Sequence, residues 1–266
     1  MINNLSNYTI GFPLYNNFDS LDVLGPFQVF TFLGVKPLLL AAKETVTSFE
    51  GVTIQIKKEQ TFDAVNKGSI SLDAFFVPGA SSEGIQGVLD LGPVGKNPYL
   101  DFLINQVNIA DKINPKTKQP AKPNFLRLSV CTGALLMGAA GLLKGYTATT
   151  HWAFLSILAS LEGVTVASGY PRYVIDRHLI TGGGISSGID EALAIAAILS
   201  DDATAQRIQL SMQYAPNPPF QSGDPSQAGP TVMYAASNFM DITDVAASFA
   251  KFTQRPQARI TTPSQA

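Results

Sequence analysis

Cys131 is the only cysteine in 266 residues, and its neighbours give it chemical meaning. It stands in Ser129-Val130-Cys131-Thr132-Gly133, small–x–nucleophile–x–small, the thiol counterpart of the Gly-x-Ser-x-Gly elbow. Such an elbow turns sharply from strand to helix, and only small flanking residues fit the close backbone. A thiol there sits at a helix start, where free N–H groups and the helix dipole favour a thiolate. The plainer alternative is a buried cysteine acting as a small hydrophobe. A thiolate also needs a proton donor and acceptor, and a developing anion needs N–H donors. Asp22 is the candidate for the first task, and the backbone N–H groups around Gly79, Ala80 and Thr132 for the second. Asp19 and Asp22 equally suit a helix cap. His151 invites a Cys–His dyad, yet a histidine beside Thr149 and Thr150 at a helix start also suits a hydrogen-bonded structural role. His178 falls in a turn and is expected to face solvent. Gly182-Gly183-Gly184 lacks both the Gly-Lys-Ser/Thr ending and the Gly-x-Gly-x-x-Gly spacing of phosphate loops, so tight backbone packing explains it better.

Hydrophobic residues make up 45% of the chain and charged ones 14%, enough for a large core. A formal charge of −2 offers no electrostatic case for nucleic acid or an anionic membrane. With one cysteine there is no internal disulfide, which suits a reducing compartment; with two scattered histidines there is no zinc-like spacing. Met1 to Asn7 has neither a basic nor a long apolar segment, and the run Ala134 to Leu143 is too short to span a bilayer. A soluble, cytoplasmic protein is expected.

The elements that must position these residues alternate. Tyr8 to Leu14 reads as a strand, followed by a helix over Leu21 to Phe32 capped by Asp19 or Ser20. Lys36 to Ala42 is a second strand, and short β pieces flank Glu50-Gly51. Asp73 to Val77 is a buried strand ending at Pro78-Gly79-Ala80, with helices near Ile85 to Leu91 and Tyr99 to Val107. From 109 to 124 a Lys- and Pro-rich insertion reads as an exposed, solvated loop. The strand Phe125 to Val130 and the helix Thr132 to Ala140 surround the elbow. A helix over Ala153 to Leu161, strands over Val164 to Ala167 and Tyr173 to Thr181, and helices over Ser187 to Leu199 and Asp202 to Gln213 follow. The alternation argues for an α/β fold with a mostly parallel sheet and helices on both faces, residues 1–220 forming one domain. Residues 221–266 read as a loop and helical extension: two weak helices, Thr231 to Phe239 and Ile242 to Phe252, then a polar tail. In such a sheet the loops after the strands meet at one edge, which gathers Asp22, Gly79 and Cys131.

Ser129-Val130-Cys131-Thr132-Gly133, Gly138-Ala139-Ala140-Gly141-Leu142-Leu143, Thr149-Thr150-His151-Trp152 and Thr181-Gly182-Gly183-Gly184-Ile185 resemble the ThiJ/PfpI superfamily. Leu21-Asp22-Val23-Leu24-Gly25-Pro26 and Tyr214-Ala215-Pro216-Asn217-Pro218-Pro219-Phe220 narrow the resemblance to its isonitrile hydratase branch. The resemblance implies a flavodoxin-like three-layer sandwich, a homodimer, and no metal or organic cofactor. It implies Cys131 as nucleophile, Asp22 as its carboxylate partner and Thr132 as a hydrogen-bonding neighbour, on a small-molecule isonitrile converted to a formamide. Thr132 stands where the peptidase-like branch has histidine, which disfavours that chemistry. The 111–124 loop and Ala80 depart from the branch pattern. Two other functions remain open at this level: a glyoxalase- or deglycase-like activity on small aldehydes, and a non-enzymatic cysteine redox sensor or ligand-binding protein.

Overall fold

The computed structural model describes residues 5–240 and 242–255. The expectations for Met1 to Asn4 and for the polar tail beyond Arg255 lie outside the described residues. The chain opens with β1 (Thr9–Leu14), buried along its whole length. A strand covered on both faces needs a continuous apolar run rather than alternation, and Thr-Ile-Gly-Phe-Pro-Leu supplies one. Helix α1 (Ser20–Leu33) follows, with Asp19 as its N-cap and Gly34 in the left-handed conformation ending it. Then come β2 (Lys36–Ala41), the hairpin β3 (Thr45–Thr47) and β4 (Thr53–Gln55), and α2 (Phe62–Asn66), a short helix the sequence reading passed over. Thr61 caps it by accepting the Ala64 N–H.

Strand β5 (Ala74–Val77) leads to α3 (Ser82–Asp90) and α4 (Pro98–Asp111). Strand β6 (Leu126–Ser129) and helix α5 (Gly133–Ala139) frame the elbow. A two-stranded parallel pair, β7 (Thr147–Ala148) and β8 (Thr165–Val166), brackets a 3-10 turn at Trp152–Phe154 and α6 (Leu155–Ala159). The expected helix over Ala153 to Leu161 is thus shorter and begins as a tight turn. The hairpin β9 (Tyr173–Asp176) and β10 (Leu179–Gly182), α7 (Ser187–Leu199) and α8 (Asp202–Ser211) complete the core. Helix α8 stops two residues before expectation because Gln213 takes a left-handed φ of 50°.

The main sheet has the order β2-β1-β5-β6-β10-β9, parallel throughout except for the β9–β10 hairpin. Counting only the parallel strands, this is the 2-1-3-4-5 order of flavodoxin-like folds. The chain moves outward from β1 to β2, then returns to the other side of β1 at β5. That switch point opens a crevice at the strands' carboxyl ends. Helices cover both faces: α1 packs with α7 and α8, while α4 packs with α2 and α5. Aromatic rings fill the layers, Phe12 stacking on Phe76 at 5.2 Å and Phe62 on Phe102 at 4.2 Å.

At the periphery one expectation fails, and the two expected C-terminal helices form. The loop after α4 was expected to put its lysines in solvent, yet Lys122 turns inward: its ammonium bonds to the Leu72 carbonyl and pairs with Asp73 at 2.9 Å. Toward the C-terminus, α9 (Pro230–Phe239) buries no residue, whereas α10 (Ile242–Gln254) packs Val245, Phe249 and Phe252 into the core against α3.

Candidate active site

The elbow is built by hydrogen bonds that leave Cys131 little choice. Val130 donates to the Val77 carbonyl at 3.1 Å, which carries the parallel β5–β6 ladder to its last rung. Cys131 then takes φ +56°, a left-handed conformation rare outside glycine, and reverses the chain into α5. The conformation is fixed from both sides: its N–H donates to the Gly183 carbonyl at 2.7 Å, and its carbonyl accepts the Thr150 hydroxyl at 2.7 Å. Gly133 must be glycine here, since a Cβ would run into the Val77 and Pro78 carbonyls.

Asp22, on the first turn of α1, is fully buried. Its Oδ2 accepts the Gly79 N–H at 2.8 Å, a contact across the switch point between α1 and the turn after β5. Gly79 allows the approach because it has no side chain. A Cβ there would lie 2.7 Å from Thr132 N and 2.8 Å from Asp22 Oδ2. Ala80 donates to Thr132 Oγ1 at 2.9 Å, and that hydroxyl donates back to the Ala80 carbonyl at 3.1 Å. Asp19 and Asp22, equivalent by sequence, therefore separate: Asp19 caps the helix, and Asp22 faces the elbow. The Gly79 and Ala80 N–H groups, expected as donors to a developing anion, are engaged by Asp22 and Thr132 instead.

Burial dominates the electrostatics. Cys131 is only 5% exposed, and desolvation, followed by the charge of Asp22, pushes its thiol well above the ordinary range. Hydrogen bonding from the Thr132 N–H acts in the opposite direction but loses. Burial thus works against the resting thiolate that the elbow favours: α5 has seven residues, a short dipole to set against a dry, acid-flanked site. Asp22 is raised too, by desolvation first and by Asp19 next, while the bonds from Gly79 and Cys131 lower it. A charge on Asp22 thus opposes a charge on Cys131, while the hydrogen bond from Cys131 favours the Asp22 carboxylate.

His151 is buried with its ring against Gly184, one residue beyond the carbonyl that holds Cys131 N–H. Nδ1 accepts the Ala153 N–H at 3.3 Å, and the ring packs beside Trp152 and Phe154. Burial lowers its pKa to about 4, so it is neutral near pH 7. His178 is exposed, as expected. Among the described residues no group of three or more His, Cys, Asp or Glu could hold a metal ion, and no helix is long and apolar enough to cross a membrane.

Three residues escaped the sequence reading. Thr150 carries no chemical signal in the sequence beyond standing next to His151, yet its hydroxyl clamps the elbow. Tyr15, just past β1, donates its hydroxyl to the Pro78 carbonyl at 2.9 Å. Glu191 on α7 is fully buried, with neither carboxyl oxygen hydrogen-bonded among the described residues, and both burial and the charge of Asp22 raise its pKa. An acid inside the apolar run of α7 was a signal that could have found it.

A nucleophile-type elbow at the carboxyl edge of a flavodoxin-like sheet, faced by a carboxyl from the first helix, defines a class of cysteine-elbow α/β proteins. No family model matches the chain. The isonitrile hydratase of Pseudomonas putida is 37% identical over 225 residues, covering 84% of this chain and 86% of that protein. The crystal structure of a ThiJ/PfpI family protein from Pseudomonas syringae superposes with a TM-score of 0.75 at 30% identity, covering 91% of this chain and 90% of that one. Drosophila melanogaster DJ-1beta shares the fold, with a TM-score of 0.62 at 16% identity over 79% of this chain and 100% of its own. The chain belongs to the ThiJ/PfpI superfamily, in its isonitrile hydratase branch.

Proposed function

We propose that this protein is a cytoplasmic, homodimeric hydratase that adds water to an isonitrile through Cys131. The observation that carries the reading is the buried carboxyl of Asp22, held by Gly79 N–H beside the only thiol of the chain. Similarity to the Pseudomonas putida isonitrile hydratase supports the substrate class. The terminal carbon of R–N≡C is electrophilic and must also gain a proton, so thiol and acid are needed together. The Cys131 thiol passes its proton to the Asp22 carboxylate as sulfur attacks that carbon. Asp22 returns the proton to the same carbon, leaving the thioimidate R–N=CH–S–Cys131. Water then adds across C=N, Asp22 taking one proton and handing it to nitrogen. The C–S bond breaks as the carbonyl forms, and the hydroxyl proton returns to sulfur. The products are R–NH–CHO and the free thiol. Thr132 orients sulfur, Gly79 and Ala80 hold Asp22 and Thr132, and His151 borders the substrate as a neutral ring.

An assay with an aryl isonitrile, run beside methylglyoxal, tests the reading. Formamide production by the wild type, its loss in Cys131→Ala, and a fall of about two to four orders of magnitude in Asp22→Asn are expected. Turnover of methylglyoxal alone would replace the hydratase with an aldehyde-directed enzyme. Near-normal activity in Asp22→Asn with loss in a His151 variant would replace the carboxylate by a Cys–His pair.

A further inference from the structure

Tyr15 and Asp22 hold opposite ends of one peptide group. The Tyr15 hydroxyl donates to the Pro78 carbonyl at 2.9 Å, and the N–H of the same peptide unit, that of Gly79, donates to Asp22 Oδ2 at 2.8 Å. Carbonyl and N–H of a peptide are conjugated, so a donor on the oxygen draws electron density from nitrogen and makes the N–H a stronger donor. We infer that Tyr15 is a positioning residue for Asp22, acting through the Pro78–Gly79 peptide to stabilise the carboxylate form of that acid.

The surroundings favour the relay. Tyr15 is 8% exposed, Asp22 is fully buried, and a hydrogen-bond chain in such low dielectric strengthens each of its members. Burial keeps the phenol protonated, so it remains a donor. The ionisable groups that face Asp22 are Asp19 and Glu50 at the helix start, Cys131 on the elbow, Glu191 on α7 and Tyr15 itself. None is a cation. Backbone donation is therefore the main stabilisation available to a negative charge on Asp22, and Tyr15 tunes it.

The inference deepens the hydratase reading, but it can be tested without it. Tyr99 supplies the control: it packs edge-on against Tyr15 at 4.9 Å, is also buried, and donates to the Pro13 carbonyl at 2.9 Å. Its bond serves a peptide of β1 rather than the one facing Asp22. Tyr15→Phe should raise the acid limb of kcat/KM by roughly half a unit to one unit, a three- to tenfold loss below the limb. Tyr99→Phe should lower the melting temperature comparably and leave the limb in place. Because Cys131 is the sole cysteine, iodoacetamide alkylation against pH reads the same shift in its lowest inflection. If the wild type makes no formamide, the hydratase reading falls and the alkylation titration decides the relay alone. Should Tyr15→Phe fold poorly, 3-fluorotyrosine at position 15, a stronger donor of nearly the same size, should move the inflection to lower pH. Equal behaviour of the Tyr15 and Tyr99 variants, or no movement with fluorotyrosine, would overturn the relay.

Discussion

Glu191 and His151 pull stability in opposite directions along the pH scale, and each can be read by substitution. The folded pKa of His151, about 4, lies below its ordinary 6.5, so the native state binds fewer protons than the unfolded chain between those values. Its contribution is present above about pH 6.5 and is lost as pH falls toward 4, on the order of 3 kcal/mol in full. Glu191 has the opposite sign. Its folded pKa is raised above 4.5, so the native state holds the extra proton, and stability falls as pH climbs from 4.5 through the folded value. Glu191→Gln removes that titration, and melting curves of the variant should fall less steeply on the alkaline side than those of the wild type. A parallel pair of curves would mean that Glu191 does not hold its proton in the fold. At Gly79 the constraint is spatial. A methyl group 2.7 Å from Thr132 and 2.8 Å from Asp22 has nowhere to go. Gly79→Ala is expected to lose about 1 to 3 kcal/mol and most of the activity, by urea denaturation and assay.

The elements that hold the site differ in how firmly they are tied. β1, β5 and β10 are buried on both faces and β6 at every residue but Arg127, and the elbow inherits their rigidity. The C-terminal helices are attached by less. α10 is anchored by Val245, Phe249 and Phe252 and by Arg255, which donates to the Leu89 carbonyl at the end of α3 at 2.9 Å. Met240, between α9 and α10, accepts the Ser82 hydroxyl at 3.1 Å, two residues past Ala80. Phe249→Ala should cost about 3 to 5 kcal/mol if α10 unfolds cooperatively with the core. If α10 detaches alone, limited proteolysis will cut within 214–229 while the thermal midpoint of the core barely moves.

Across the whole molecule, the exposed face of α1 carries Leu21, Leu24 and Phe32, and Ile198 on the neighbouring α7 is also exposed. Residues at such spacings share one helix face, and an apolar face of this kind suits burial against a second copy. Sedimentation of the proposed homodimer should give twice the monomer mass of 28.3 kDa, and Leu24→Lys should shift it toward that monomer value. A wild-type mass of one chain would remove the dimer from the proposal without touching the fold.

Much of this protein is written locally. The unbroken apolar runs of Thr9 to Leu14 and Ala74 to Val77, separated by helical segments, already specify buried parallel strands, because pattern and period act over a few residues. Ser129 to Gly133 specifies the elbow for the same reason: small residues are required on the spot where the chain turns. What the local pattern leaves undecided is which partner each polar group meets. Asp19 and Asp22 differ in role because one stays on its own helix while the other reaches a peptide 57 residues away. Whether Cys131 rests as thiol or thiolate depends on how much water the packed helices exclude, and whether Gly79 N–H is free depends on where α1 docks. Tyr15 and Glu191 acquire meaning only when the switch point brings β1, β5 and α7 together. Hydrogen bonding and desolvation act over a few ångströms of space, and sequence distance does not measure that space.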